Sequence, residues 1–217
     1  MQARALAEAL KVNSSLSWLD LTSNQVGDAG ASALADALKT NTVLTILYLG
    51  DNQIGTSGTR ALARVLEVNA MLTALDLSGN SVADVGARAL AGILDVNTTL
   101  TRLTLAKSQI GDGGASALAD ALKANGALTV LNLNSNQLTT RSMHLFAEAL
   151  ESNPALMFLY VEDNPVGGDG VRVLNEMIDP MLARNQRLAP NKAEEETAKK
   201  ATATQTARVL PGAIRYV

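Results

Sequence analysis

Leucines return along this chain at one fixed interval, the step from Leu44 to Leu72. Residues 72–99, LTALDLSGNSVADVGARALAGILDVNTT, show one complete unit. It opens with Leu72, Leu75 and Leu77, passes Asn80, and continues into a stretch with Leu90 and Leu94 four apart, closing at Asn97. The opening leucine recurs as Leu16, Leu44, Leu100, Leu128 and Leu156. The first asparagine recurs as Asn24, Asn52, Asn136 and Asn164, and Ser108 is the one exception. A period of this length is the mark of a repeat array, in which each unit buries its apolar face against its neighbours.

Each unit reads as strand, turn, helix. Leu19 and Leu21 point to one side and Trp18, Asp20 and Thr22 to the other, the alternation of a strand. The asparagine of the turn carries a donor pair and an acceptor, so stacked copies can form a buried ladder. Ser108 makes fewer such bonds, and the fourth repeat is expected to be the weak rung. Asp28, Thr56, Asp84, Asp112 and Thr140 share one phase, with Gly168 in the sixth unit, and are read as caps opening their own helices. The pairs Leu34/Leu38, Leu62/Leu66, Leu90/Leu94, Leu118/Leu122, Phe146/Leu150 and Leu174/Ile178 give each helix a strand-facing stripe. Asn41, Asn69, Asn97, Asn125 and Asn153 then stop the helices, read as left-handed ends. Strands pack about 4.8 Å apart and helices roughly 8–10 Å apart, so the array must curve with its strands inside.

The pattern divides the chain into three segments. Residues 1–13 are a partial N-terminal repeat helix, aligned one period before Leu34, Leu38 and Asn41, and this start is read as that of either a whole chain or a fragment of a longer one. Residues 14–188 are six repeats; the last helix runs past Pro180, which is expected to bend or break it, and residues 171–188 form a cap. Leu188 reads as the start of a seventh repeat that Pro190 abandons. Residues 189–217 are a polar linker ending in the apolar VLPGAIRYV, without periodicity.

LxxLxLxxN followed by a helix, repeated at this interval, resembles the leucine-rich repeats of the ribonuclease-inhibitor-like class. The resemblance covers about residues 3–188. It implies an α/β leucine-rich-repeat solenoid, curved, with parallel strands on the concave face and helices on the convex face. The class includes ribonuclease inhibitor, the sensor arms of nucleotide-binding immune receptors, the Ran GTPase-activating protein and the actin-capping domain of tropomodulin. What they share is recognition of other proteins, so the implied role is a protein-binding scaffold. The rival roles it allows are a structural subunit of a large cytoskeletal or ciliary assembly, a small-GTPase regulator, and the sensor arm of a larger receptor.

Composition narrows the chemistry. Hydrophobic residues reach 47% while aromatics are only 3%, so the core is aliphatic. A net charge of −3 gives no electrostatic reason to expect nucleic acid or an anionic membrane. With no cysteine there is neither disulfide nor thiolate metal site. No apolar run has signal-peptide or membrane-helix character, and a cytoplasmic protein is expected. No catalytic residue, metal ligand or cofactor site is expected. His144, the sole histidine, takes an outward helix phase. GDAG, GTSG and GDGG lack the ending of a phosphate loop and are read as turn glycines.

The strand positions facing away from the leucines are the better candidates. One row reads Trp18, Ile46, Ala74, Arg102, Val130, Phe158 and the next Asp20, Tyr48, Asp76, Thr104, Asn132, Tyr160. Aromatic residues left in the open favour protein interfaces. The expected contact residues for a protein partner of unknown identity are Trp18, Tyr48, Arg102, Phe158 and Tyr160. Trp18 and Phe158 span roughly 24 Å across the strands.

Overall fold

A computed structural model describes residues 2–188. The linker and VLPGAIRYV expectations, and Pro190, lie outside these residues. The elements run α1 (Gln2–Val12), β1 (Trp18–Asp20), α2 (Gly27–Leu38), β2 (Ile46–Tyr48), α3 (Thr56–Leu66), β3 (Ala74–Asp76), α4 (Ala83–Leu94), β4 (Arg102–Thr104), α5 (Asp112–Ala124), β5 (Val130–Asn132), α6 (Thr140–Ser152), β6 (Phe158–Tyr160), α7 (Gly167–Val173), a π-helical turn (Leu174–Ile178) and α8 (Asp179–Leu188). The six strands form one open parallel sheet in chain order. Register follows the period: Leu19, Leu47, Leu75, Leu103, Leu131 and Leu159 stand side by side. This is the α/β leucine-rich-repeat solenoid that the pattern implies. The core between sheet and helices is aliphatic apart from Phe146, which is fully buried.

The turn asparagines form the expected ladder. Asn80 Nδ2 donates to Leu49 O across the repeat boundary at 2.8 Å, while its Oδ1 accepts Asn52 N at 3.1 Å and Ile54 N at 2.8 Å. Asn136 and Asn164 repeat this pattern on the repeats before them. Ser108 departs from it. Its hydroxyl reaches Leu77 O at 3.3 Å and Ala106 O at 3.1 Å, and it accepts neither Asn80 N nor Val82 N. The weak rung is where the sequence places it.

A second ladder runs along the other edge, and it corrects one expectation. Asn125 and Asn153, which follow their helices, have φ of −74° and −91°, extended rather than left-handed. Asn41, Asn69 and Asn97 are likewise outside the left-handed region. These residues act through their amides. Asn97 Nδ2 donates to Leu66 O, a free carbonyl at the end of α3, at 2.7 Å, and its Oδ1 accepts Thr99 N and Leu100 N. One buried amide thus satisfies the preceding helix end and starts the next strand.

The helix caps also differ from expectation. Asp28 makes no cap bond to α2; its Oδ1 accepts Gly55 N at 2.7 Å and Gly58 N at 2.9 Å at the start of α3. Asp84 serves Gly111 N and Asp112 serves Thr139 N in the same way. Adjacent helix starts stand side by side, so each carboxylate caps the neighbouring helix rather than its own. Gly55, Gly111 and Thr139 are extended there. Thr56 and Thr140 stand where an aspartate would serve Ala83 and Gly167, and those two, like Gly27, take positive φ instead. Of the glycines in GDAG, GTSG and GDGG, only Gly27 does so. Gly58 permits close packing: a Cβ there would lie 2.8 Å from Ile54 Cγ2 and 3.0 Å from Ala31 Cβ.

The chain stays helical through Pro180 and remains on the stack, and the α-helical pairing is interrupted by a π-helical turn just before the proline. The π-helical turn absorbs the extra residues before it, and Pro180 sits in the first turn of α8, where a missing N–H costs little. α8 then terminates the second ladder. Asn185 Nδ2 donates to Asn153 O and Leu156 O, and the Arg184 guanidinium donates to Leu150 O and Asn153 O.

Candidate interaction surface

All five sequence-predicted contact residues lie on the concave sheet face, half-buried rather than exposed. They form two aromatic pairs with a cation between. Trp18 and Tyr48 meet edge to face, centroids 5.9 Å apart at 76°. Phe158 and Tyr160 lie parallel within β6, 6.3 Å apart. Side chains of this size shield one another and the small residues beneath, which is why Ala74 and Val130 are buried although they face outward. The Trp18 indole Nε1 is the one buried side-chain nitrogen or oxygen among the described residues without a hydrogen-bond partner.

Arg102 stands on β4, two strands from β2 and two from β6. Its charge is felt by the phenols of both Tyr48 and Tyr160. Among the described residues no carboxylate or carbonyl pairs with it. The other lysine or arginine among them that is not exposed is Arg184, held by carbonyls and Asn185. Burial pushes both tyrosine phenols up, with Arg102 pulling against it. Burial also pushes the Asp76 carboxyl up; Ser78 bonds it through backbone and hydroxyl, and the charges of Asp20 and Asp51 add to the rise. The face is therefore acidic around β1–β3 and basic at β4.

Comparison with known proteins bears on this architecture. A family model described as Leucine Rich repeat matches residues 12–35, 40–63, 68–91 and 96–119, segments set one repeat period apart. The chain is a leucine-rich-repeat protein. Its fold is similar to the solved structure titled Leiomodin-1 Actin-Binding Site 2, with a TM-score of 0.60 and 22% identity, over 79% of this chain and 95% of that one. It is also similar to the tropomodulin C-terminal domain of Caenorhabditis elegans, with a TM-score of 0.52 and 13% identity, over 93% and 99%. At these identities the likeness is one of fold. No curated protein matches the sequence.

The helical side of this leucine-rich-repeat protein holds the remaining titratable clusters. A shallow groove between α4, α5 and α6 is lined by Arg88, Asp112, Ser116, Asp120 and Arg141. Burial opposes ionisation of Asp112, but bonds from Ser142 and Thr139, with the charge of Arg141, together hold its carboxyl below the usual range. That carboxylate is occupied as the cap of α6. His144 is exposed on α6, as its phase predicts. Among the described residues no group of three or more His, Asp or Glu could hold a metal, and no helix is long and apolar enough to cross a membrane. Two features of the concave face escape the sequence pattern: among the described residues Arg102 has no counter-ion and the Trp18 indole N–H has no acceptor. Both depend on what surrounds each group in space.

Proposed function

We propose that this chain is a non-catalytic scaffold that binds a protein partner on its concave strand face. Trp18, Tyr48, Arg102, Phe158 and Tyr160 are its contact residues, carried by the repeats of residues 14–188. The observation that supports this reading is the half-buried Arg102, with no anion paired to it among the described residues, between two aromatic pairs. Aromatic and arginine anchors in partly desolvated positions carry most of the energy of many interfaces. The span from Trp18 to Phe158, roughly 24 Å across the strands, suits an interface of about 800 Å² per partner. Affinity capture from native extract tests it. A partner retained by the chain and lost with Trp18→Ala/Phe158→Ala, while unfolding shifts little, supports the reading; equal loss of binding and stability makes these residues core and sinks it.

A cytoskeletal setting is the second reading, favoured because one similar fold is titled an actin-binding site. Co-sedimentation with actin filaments and pull-down with actin monomers decide it. Binding to neither form removes actin and leaves the scaffold reading for other partners. A cytoplasmic location accompanies both readings, and a fluorescent fusion of the full chain would check it.

A further inference from the structure

The concave face carries a spacing that selects among partners, an inference that rests on the concave-face reading proposed for this chain. Arg102 on β4, with no anion paired to it among the described residues, has its backbone two strands from that of Tyr48 on β2 and two from that of Phe158 and Tyr160 on β6, about 10 Å to either side at ~4.8 Å per strand. An occupant that satisfies all three points must place a carboxylate centrally and apolar side chains about 10 Å on each side. An extended segment covers that distance in about three residues at ~3.3 Å each, and residues three apart on a strand point to opposite faces. A single strand crossing the sheet cannot present all three groups to it. On a helix, seven residues advance about 10.5 Å and return to nearly the same face, drifting only ~20°.

We propose that the partner element is an amphipathic helix laid across the strands. Its Asp or Glu pairs with Arg102, and apolar residues seven positions before and after it pack on Trp18/Tyr48 and Phe158/Tyr160. Charge supports the placement. Asp20 and Asp76 flank Tyr48 in the neighbouring row, so an acidic side chain is favoured over β4 and disfavoured over β1–β3. The partner helix accordingly carries Lys or Arg beside the apolar residue that meets Trp18/Tyr48. Arg102 gains the counter-ion it lacks, in a site partly shielded from water where a charge pair is worth more than at an open surface.

A displayed library of helical peptides about five turns long tests this, with the central position and those seven residues to either side randomised. The full chain is the bait, and fluorescence polarisation of a dye-labelled peptide gives the affinity in solution for the parent and every variant alike, including those without Trp18, the only tryptophan. Enrichment of Asp or Glu at the centre and of apolar residues at the flanks is expected. Arg102→Glu should weaken those peptides about tenfold or more, and the central Lys version should bind Arg102→Glu better than it binds the parent. Helices with any residue at the centre, binding parent and Arg102→Glu alike, overturn the proposal while leaving the concave-face reading in place. Binders indifferent to Trp18→Ala/Phe158→Ala overturn that reading as well. Recovery of no helix overturns the helical partner, and the actin and extract captures then judge the surface separately.

Discussion

Replacing Ser108 by Asn should stabilise the array, because the ladder lacks two bonds at that rung. Asn80, Asn136 and Asn164 each accept two backbone N–H groups from the repeat before, at 2.8–3.1 Å. Ser108 leaves the corresponding pair, Asn80 N and Val82 N, without that acceptor, in a site where Asn80 and Val82 are almost wholly buried. An internal hydrogen bond contributes about 1 kcal/mol net, and more when it rescues a buried donor. Two bonds, less about 1 kcal/mol for ordering the longer side chain, leave a gain of about 1–2 kcal/mol. At roughly 2–4 °C per kcal/mol for a chain of this size, Tm should rise by about 2–8 °C. Thermal unfolding followed by circular dichroism, with urea titration in parallel, measures it. The reverse change, Asn80→Ser, should cost about 2–4 kcal/mol, as it removes two accepted bonds and one donated one. A Ser108→Asn chain no more stable than its parent, beside a costly Asn80→Ser, would mean that serine already satisfies its rung, and the bond-by-bond reasoning would fail.

Asp76→Asn should raise stability at neutral pH, since Asn can keep the Ser78 bonds without carrying a buried charge. The sign follows from linkage: the folded carboxyl holds its proton more tightly than the unfolded one, so the parent loses stability as pH rises from about 3.8 through the folded value. The advantage of Asn should accordingly fade below about pH 3.8, and urea midpoints across pH 3–7 would show it; an advantage constant with pH refutes the cause. Ala83→Gly should stabilise by about 0.5–1 kcal/mol, because Ala83 holds a φ of +52° where Gly27 and Gly167 stand in two other repeats. Thermal unfolding checks this, and a loss of stability would show that the turn tolerates a Cβ without strain.

The fold was legible because it depends on spacing alone. Leucines recurring at one constant interval fix the register of Leu19 against Leu47 and onward, and no insertion interrupts it. The weak rung at Ser108 was legible for the same reason: a change of residue type at a fixed phase removes particular acceptors. What misled the reading was assigning polar residues to their nearest neighbours in sequence. Asp28 lies beside the start of α2, yet its carboxylate serves Gly55 and Gly58 of α3. Asn97 follows α4, yet its amide donor goes back to Leu66 at the end of α3. In a stacked array the nearest free backbone group is often one period away, so a local capping rule names the right residues and the wrong partners. The five concave residues could be placed on one face by alternation. That Arg102 lacks an anion could not, since it depends on the side chains of β2, β3 and β6 around it.

This division of labour explains where the chain can vary. The asparagines of both ladders are committed to backbone groups, and the aspartates of the helix starts are committed to the next helix. A change at any of them strands buried donors or acceptors, as Ser108 illustrates. Among the outward strand positions, Asp20, Asp76 and Asn132 each accept a backbone N–H, while the row that begins at Trp18 makes no side-chain bond to the backbone. Trp18, Arg102 and Phe158 occupy one phase, which also holds Ile46, Ala74 and Val130, and the register is the same for all six. Residues so different in size and charge at equivalent positions show that the fold does not choose them. Their side chains are thus the part of each repeat free to answer to something outside it, and the central cation between aromatic ends is the pattern a partner would have to match.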